Sequence, residues 1–412
     1  MLPERKGPAG KRDLLWFLVA VALPVPWVIA YALGGLGLPP EAVAVVAGLA
    51  ILGAAFLLSW SMELAERDIP QSLALLVLAL VSVLPEYAVD LHFAVTAATD
   101  PQYAHYAVAN MTGANRLLIG LGWAAVVLIA CRRAGTSELE IEPKQRLEIR
   151  FLIYATLYSF LIPLNGFLGP GDAAVLLLLF AAYVRTAMKS EYHEGEDLLG
   201  PAALMDLHFE DTGRRVWALL FFVFGGYAIW VSAEPFAEGL VHVGRNYAVD
   251  EFLLVQWVAP LASESPEFIV AILFALRLRG SLGIGALISS KVNQWTLLVG
   301  ALPIAFILAG GGWAGLPLDD RQTEELFLTS AQSLLAALLI CDLSFRRIEA
   351  VMLAALFGVQ LVFPSTEVRI AFAVLYVAIF FGLVVHSPHR RSRFLSYLGR
   401  GSGESAAARG AP

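Results

Sequence analysis

Charge is scarce in this 412-residue sequence: Asp, Glu, Lys and Arg make up 15% of it, where a soluble domain carries roughly 25%. Cysteine is nearly absent. The two present, Cys131 and Cys341, exclude a disulfide framework and a cysteine-rich metal site. Positive charge is outnumbered, with 28 Lys and Arg against 35 Asp and Glu, so no basic surface marks a nucleic-acid binder. The chain has no GxxxxGK[ST] loop, which excludes a P-loop ATPase motor, and no HExxH or GxSxG motif of the common hydrolases. GGLG at 34–37 precedes Pro39 and Pro40 and reads as a turn, not a dinucleotide loop.

Apolar residues dominate instead, at 58% before glycine is counted. A spanning helix needs about 20 mainly apolar residues, and a barrel strand about 10 that alternate. The runs here are long and do not alternate, which predicts an all-α polytopic membrane protein. About twelve spans are expected, near 14–35, 42–63, 70–98, 104–130, 148–168, 172–188, 214–236, 250–277, 282–309, 324–344, 348–364 and 367–386. The first follows Arg5, Lys6, Lys11 and Arg12 but is too long for a cleaved signal segment and is read as a helix. With both termini cytoplasmic, the inner loops and tail collect Arg132, Arg133, Lys144, Arg146, Arg150, Lys189, Arg214, Arg215, Arg277, Arg279, Arg346, Arg347, Arg390, Arg391 and Arg393. The outer ones keep Arg245, Arg321 and Arg369. The expected location is the plasma (cell inner) membrane. The tail cluster HRRSRF reads first as an orientation signal and second as an anionic-lipid contact.

The two halves resemble each other. ALVSVLPE, ending at Glu86, answers APLASESPE, ending at Glu267, and each is followed by a small-residue helix: AVANMTGANRLLIGLG at 107–122 and GIGALISSKVNQWTLLVG at 283–300. Five helices per unit is odd, so the second unit enters from the opposite side, as in inverted-repeat transporters. The expected organisation is 1–38 as amino terminus and flanking helix, 42–188 as repeat 1 and 189–213 as a polar linker (Glu191, His193, Glu194, Glu196, Asp197). Repeat 2 follows at 214–364, then a flanking helix and basic tail at 367–412.

Carboxylates within a membrane span are costly and mark functional interiors. Pro85 and Pro266 each remove an amide donor and free a carbonyl one turn earlier, at Val81 and Ala262, so each Pro-Glu pair offers hard oxygen ligands suited to Ca²⁺ or Na⁺. Ser82, Glu86 and Asp90 share one helical face, and Ser263 and Glu264 precede Glu267 by four and three residues. Asn110 and Asn115 on the first small-residue helix answer Ser289, Ser290, Asn293 and Gln294 on the second. Ser59, Glu63, Glu234 and Glu238 are placed near helix ends, and His92 and His105 lack a metal-ligand spacing and read as wall or loop residues.

At these residues the sequence resembles the calcium/cation antiporter superfamily, the sodium/calcium exchanger group, whose repeats read approximately G-T-S-L-P-E followed by G-N/D-x-x-G-S-N. The matching segments are V-S-V-L-P-E (81–86) with A-N-M-T-G-A-N (109–115), and A-S-E-S-P-E (262–267) with G-A-L-I-S-S-K (285–291). The resemblance implies exchange of Ca²⁺ or another inorganic cation against Na⁺ or H⁺ by alternating access, with no enzymatic step and no resident cofactor. Glu86 and Glu267 would be central ligands, Ser82 and Ser263 would replace the motif threonines, and Asn110 would be the amide ligand. Asp90, Glu264, Ser289 and Ser290 are further candidate ligands.

The departures are specific. Ala286 stands where the second Asn/Asp ligand is expected, Lys291 where the terminal Asn is expected, and Arg116 follows Asn115. A tethered ammonium can occupy the place of a monovalent cation, so Lys291 is expected to replace a sodium site and alter coupling, with Arg116 and Lys291 snorkelling or neutralising acids as the plainer reading. A non-transporting homologue with degenerate sites and, less well supported, an intramembrane hydrolase are the competing functions.

Overall fold

The computed structural model describes residues 11–34, 37–65, 84–189, 198 and 200–399. Among them ten helices are long and apolar enough to cross a membrane. The two other expected spans appear as Leu84–Thr96, at the end of the 70–98 run, and Arg347–Val362, whose 16 residues reach only about 24 Å at 1.5 Å per residue. The architecture is all-helical: two inverted five-helix repeats with one flanking segment at each end. Ser82 and the linker acids 191–197 lie outside the described residues.

Two compact units emerge, and each draws helices from both halves of the chain: 1–92 with 187–266, and 93–186 with 267–412. The first holds α1 (Lys11–Ala22), α2 (Val25–Ala32), α3 (Pro40–Ala65), the start of α4 (Leu84–Thr96), α9 (Gly200–His208), α10 (Asp211–Tyr247) and most of α11 (Glu251–Leu276). The single first span expected at 14–35 is interrupted before Val25 because Pro24 and Pro26 withhold amide donors. Small residues let α3 and α10, the opening helices of the two repeats, pack closely: a Cβ on Gly239 would lie 2.9 Å from that of Ala44. Ser61 Oγ donates to the Ala218 carbonyl (2.7 Å) and Trp27 Nε1 to that of Val231 (2.8 Å), tying α2 and α3 to α10.

α10 runs on through Pro235 to Tyr247, well past the expected end at 236, so Glu234 and Glu238 are mid-helix and not terminal. Membrane helices tolerate internal proline because neighbours satisfy the freed backbone. α11 likewise continues through Pro260 and Pro266.

The second unit contains α5 (Gln102–Leu117), α6 (Ala124–Ala134), α7 (Arg146–Ser159), α8 (Pro170–Ala187), α12 (Gly280–Asn293), α13 (Val299–Leu308), α14 (Asp320–Ile340), α15 (Arg347–Val362), α16 (Thr366–His386) and α17 (Pro388–Leu398). Short strands in its loops form two antiparallel clasps: β1 (Glu138–Glu140) with β4 (Ser344–Arg346), and β2 (Phe167–Leu168) with β3 (Leu316–Pro317). Each clasp joins a loop of one repeat to a loop of the other. α14 is almost wholly buried and opens with a capping box, in which Asp319 accepts from the Gln322 amide at 2.8 Å while Gln322 accepts from the Asp319 amide at 2.9 Å.

A π-helical turn follows each small-residue helix, Leu118–Trp123 after α5 and Gln294–Leu298 after α12. Such turns concentrate at functional sites. Phe357 of α15 fills the space beside the first, where a Cβ on Gly120 would meet its ring at 2.2 Å.

Candidate cation site

In the first unit, Glu86 and Asp90 on α4 are buried at 2% and 0% exposure, one turn apart on a single face. On α11, Ser263 and Glu264 are also buried, with Ser263 Oγ turned back to the Ala259 carbonyl at 3.3 Å. His92 is not an idle wall residue: its Nε2 lies 3.0 Å from Glu238 Oε1, linking α4 to α10.

In the second unit, Glu267 accepts a hydrogen bond from Ser290 Oγ at 2.8 Å, joining the Pro-Glu position to the small-residue helix of its own repeat. Ser289 sits one residue away on another face, 3.2 Å from the Tyr183 hydroxyl, which donates to Glu148. Asn110 is fully buried on α5. Among the described residues no three His, Cys, Asp or Glu side chains gather into a metal site.

Lys291 is fully buried and does not snorkel. Its Nζ donates to Asn115 Oδ1 at 2.7 Å and to the Asn115 carbonyl at 3.1 Å, and it lies 4.6 Å from the centre of the Trp295 ring. Lys291 is the counterpart of Asn115, 176 residues later, so equivalent positions of the two repeats meet. The same offset carries Leu118, first residue of the first π-turn, onto Gln294, first of the second.

Arg116 points to a different partner. Its guanidinium lies 2.5 Å from Glu325 on α14, and both are almost completely buried. Glu325 and its neighbour Glu324 also face Arg369 of the flanking helix α16, at 3.8 and 2.7 Å. Glu324 and Glu325 lie outside the motifs, whose acids are Glu86, Asp90, Glu264 and Glu267, so motif spacing does not point to them. A signal was available: Glu324, Glu325 and Arg369 all open helices at the same membrane boundary.

The chain matches the family model described as sodium/calcium exchanger protein over residues 41–189 and 217–366. It is similar to the crystal structure of the H⁺/Ca²⁺ exchanger CAX, with 44% identity and a TM-score of 0.88, covering 94% of this chain and 97% of that one. Two solved structures share the fold at lower identity. Native YfkE is 14% identical with a TM-score of 0.64, over 87% of this chain and 99% of that one. The sodium-calcium exchanger NCX_Mj is 20% identical with a TM-score of 0.53, over 78% and 99%. An uncharacterized membrane protein of Methanocaldococcus jannaschii is 23% identical over 188 residues, 45% of this chain, and the match spans 56% of that relative's length. Since the family match takes in both repeats and all the motif residues between them, the chain belongs to the sodium/calcium exchanger family of calcium/cation antiporters.

Proposed function

We propose that this protein exchanges Ca²⁺ for H⁺ as a secondary antiporter in the cell inner membrane, with both termini cytoplasmic. The contact between Lys291 and Asn115 carries the choice of counter-ion. An ammonium held by both an amide oxygen and a carbonyl occupies space and oxygen donors that a Na⁺ ion would need. Ala286 removes one further oxygen at the expected second amide position. The similarity to a solved H⁺/Ca²⁺ exchanger over nearly the whole chain supports the same pairing of ions. The excess of Lys and Arg on one set of loops supports the orientation.

In this reading Glu86 and Glu267 are the central carboxylate ligands, and Asp90 and Glu264 add negative charge or accept protons. Asn110, Ser82, Ser263, Ser289 and Ser290 supply neutral oxygens. Lys291 is a fixed charge that lowers the number of transported cations, and Arg116 contributes only by positioning α5. Carboxylates suit both halves of the exchange, because they bind Ca²⁺ when ionised and carry H⁺ when not.

The test is ⁴⁵Ca²⁺ uptake into proteoliposomes driven by an outward H⁺ gradient, an outward Na⁺ gradient, or neither. Uptake driven at least tenfold better by H⁺ than by Na⁺, and lost in Glu86→Gln and Glu267→Gln, is the expected result. Equal or better drive by Na⁺ overturns the counter-ion. No gradient-dependent flux of either kind favours a non-transporting homologue.

A further inference from the structure

One basic cluster lies outside the ion-binding motifs. Arg146, Arg150 and Tyr154 follow one another at four-residue spacing on α7, Leu157 continues the same face, and Leu161 follows just beyond the helix end at Ser159. The order along this face is two arginines at the membrane boundary, a tyrosine, then two leucines that are 40% and 53% exposed. Helix α17 lies against α7 at Tyr154, whose Oη donates to the Tyr397 carbonyl at 2.9 Å. Arg393, exposed on α17, lies with Arg146 and Arg150 within electrostatic reach of the Tyr397 phenol. Burial first of all pushes that phenol up to about 12, so it stays protonated and can donate.

These arginines differ from their neighbour Arg390. Arg390 is buried and satisfied by Asp342 at 3.1 Å and Glu349 at 2.6 Å. Burial opposes its charge, but Glu349 and Asp342 outweigh that and hold its proton more tightly than in free arginine. The tail cluster is therefore not one lipid-contacting patch: Arg390 fastens α17 to the protein. Among the described residues no carboxylate lies within 4.0 Å of Arg146, Arg150 or Arg393, and Arg150 Nε is a buried donor with no acceptor. The pairing of β1 with β4, and of Arg390 with Asp342, puts all of these groups on one side of the membrane, at the boundary where α16 ends and α7 begins.

We propose that Arg146, Arg150 and Arg393 form a binding site for the phosphate of an anionic phospholipid whose acyl chains lie along Leu157 and Leu161. Arginine forks match phosphate oxygens in geometry as well as charge. Tyr154, one turn further along the same face, is the point at which α17 is fastened to α7. The leucine track below the cations distinguishes a lipid from a free phosphate ion, which has no use for it. Bound there, the lipid bridges α7 and α17 and reinforces the docking of the carboxy-terminal helix.

The test is native mass spectrometry of the full chain in detergent, titrated with phosphatidylglycerol, with phosphatidylcholine of the same acyl chains, and with inorganic phosphate. One phosphatidylglycerol should be retained at concentrations where phosphatidylcholine is not. Near the membrane surface an arginine contributes enough that each loss weakens anionic-lipid binding by about fivefold. Arg150→Gln with Arg393→Gln should therefore weaken phosphatidylglycerol binding about 25-fold, whereas Arg132→Gln, an exposed arginine at the end of α6, should not change it. Arg393→Gln alone, at an exposed position, gives the fivefold step should the double variant fail to fold. Equal retention of the two lipids, or of phosphatidylglycerol by wild type and variants, overturns the site. Displacement of the lipid by inorganic phosphate at comparable concentration overturns the lipid as its occupant.

Discussion

The two small-residue spans share one design and use it differently. Each is an α-helix with a basic residue in its last turn, followed by a π-turn at the equivalent position. In the first span the cation is Arg116, and it serves packing: Glu325 holds it, and the same acid faces Arg369 of the flanking helix. In the second the cation is Lys291, and it serves the motif, bonded to Asn115 at the position equivalent to its own. Arginine stays charged and fits a buried carboxylate through its planar fork, while lysine is a compact point charge closer in character to a bound ion. A repeat fixes backbone geometry, and its two copies can still divide structure and transport between them.

The largest expected effect breaks the structural half of that division. Glu325→Ala removes the carboxylate that lies 2.5 Å from the buried Arg116 guanidinium, and breaking a buried ion pair typically costs about 3–5 kcal/mol. The melting temperature in detergent should fall well below that of any Lys291 variant. Replacing both partners, Arg116→Met with Glu325→Leu, should recover most of it, since an apolar pair avoids the buried charge. An unchanged melting temperature in Glu325→Ala would mean that Arg116 does not carry the packing of α5.

A second expected effect tests why the π-turns differ in composition. Gly120 corresponds to Thr296, whose hydroxyl donates to the Val292 carbonyl at 2.6 Å. Position 120 admits no side chain because Phe357 occupies the place of a Cβ. Gly120→Ala should cost about 1–3 kcal/mol by overpacking, and Gly120→Ala with Phe357→Leu should regain part of that loss. The transport half of the division is tested by Lys291→Asn, which restores the family residue. The ratio of H⁺-driven to Na⁺-driven ⁴⁵Ca²⁺ uptake should fall about tenfold, equivalent to about 1.4 kcal/mol; an unchanged ratio would remove Lys291 from the coupling.

The spans were legible in the sequence because twenty consecutive apolar residues leave few alternatives. Their inverted pairing was legible because the Pro-Glu positions repeat with an odd number of helices between them. The end of α10 was not, since Pro235 reads as a stop yet is tolerated within a membrane helix. The π-turns have no residue signature, and strands as short as Phe167–Leu168 carry no periodicity to read. Of the candidate site, residue types were legible and partners were not: nothing local in the sequence joins Arg116 to Glu325 or His92 to Glu238. The meeting of Lys291 with Asn115 was open to inference, because equivalent residues of an inverted repeat can face each other across the axis relating the copies.

The smallest expected effect sharpens the comparison at one hydroxyl. Ser290 corresponds to Ala114, so only the second span offers a side-chain donor at this position, and it donates to Glu267 at 2.8 Å. A single neutral hydrogen bond is worth about 1 kcal/mol net. Ser290→Ala, which makes the second span match the first here, should raise the Ca²⁺ concentration for half-maximal uptake about fivefold while leaving the melting temperature nearly unchanged. A role confined to packing would show the reverse, a lower melting temperature with unaltered Ca²⁺ dependence, and would return Ser290 to the structural side of the division.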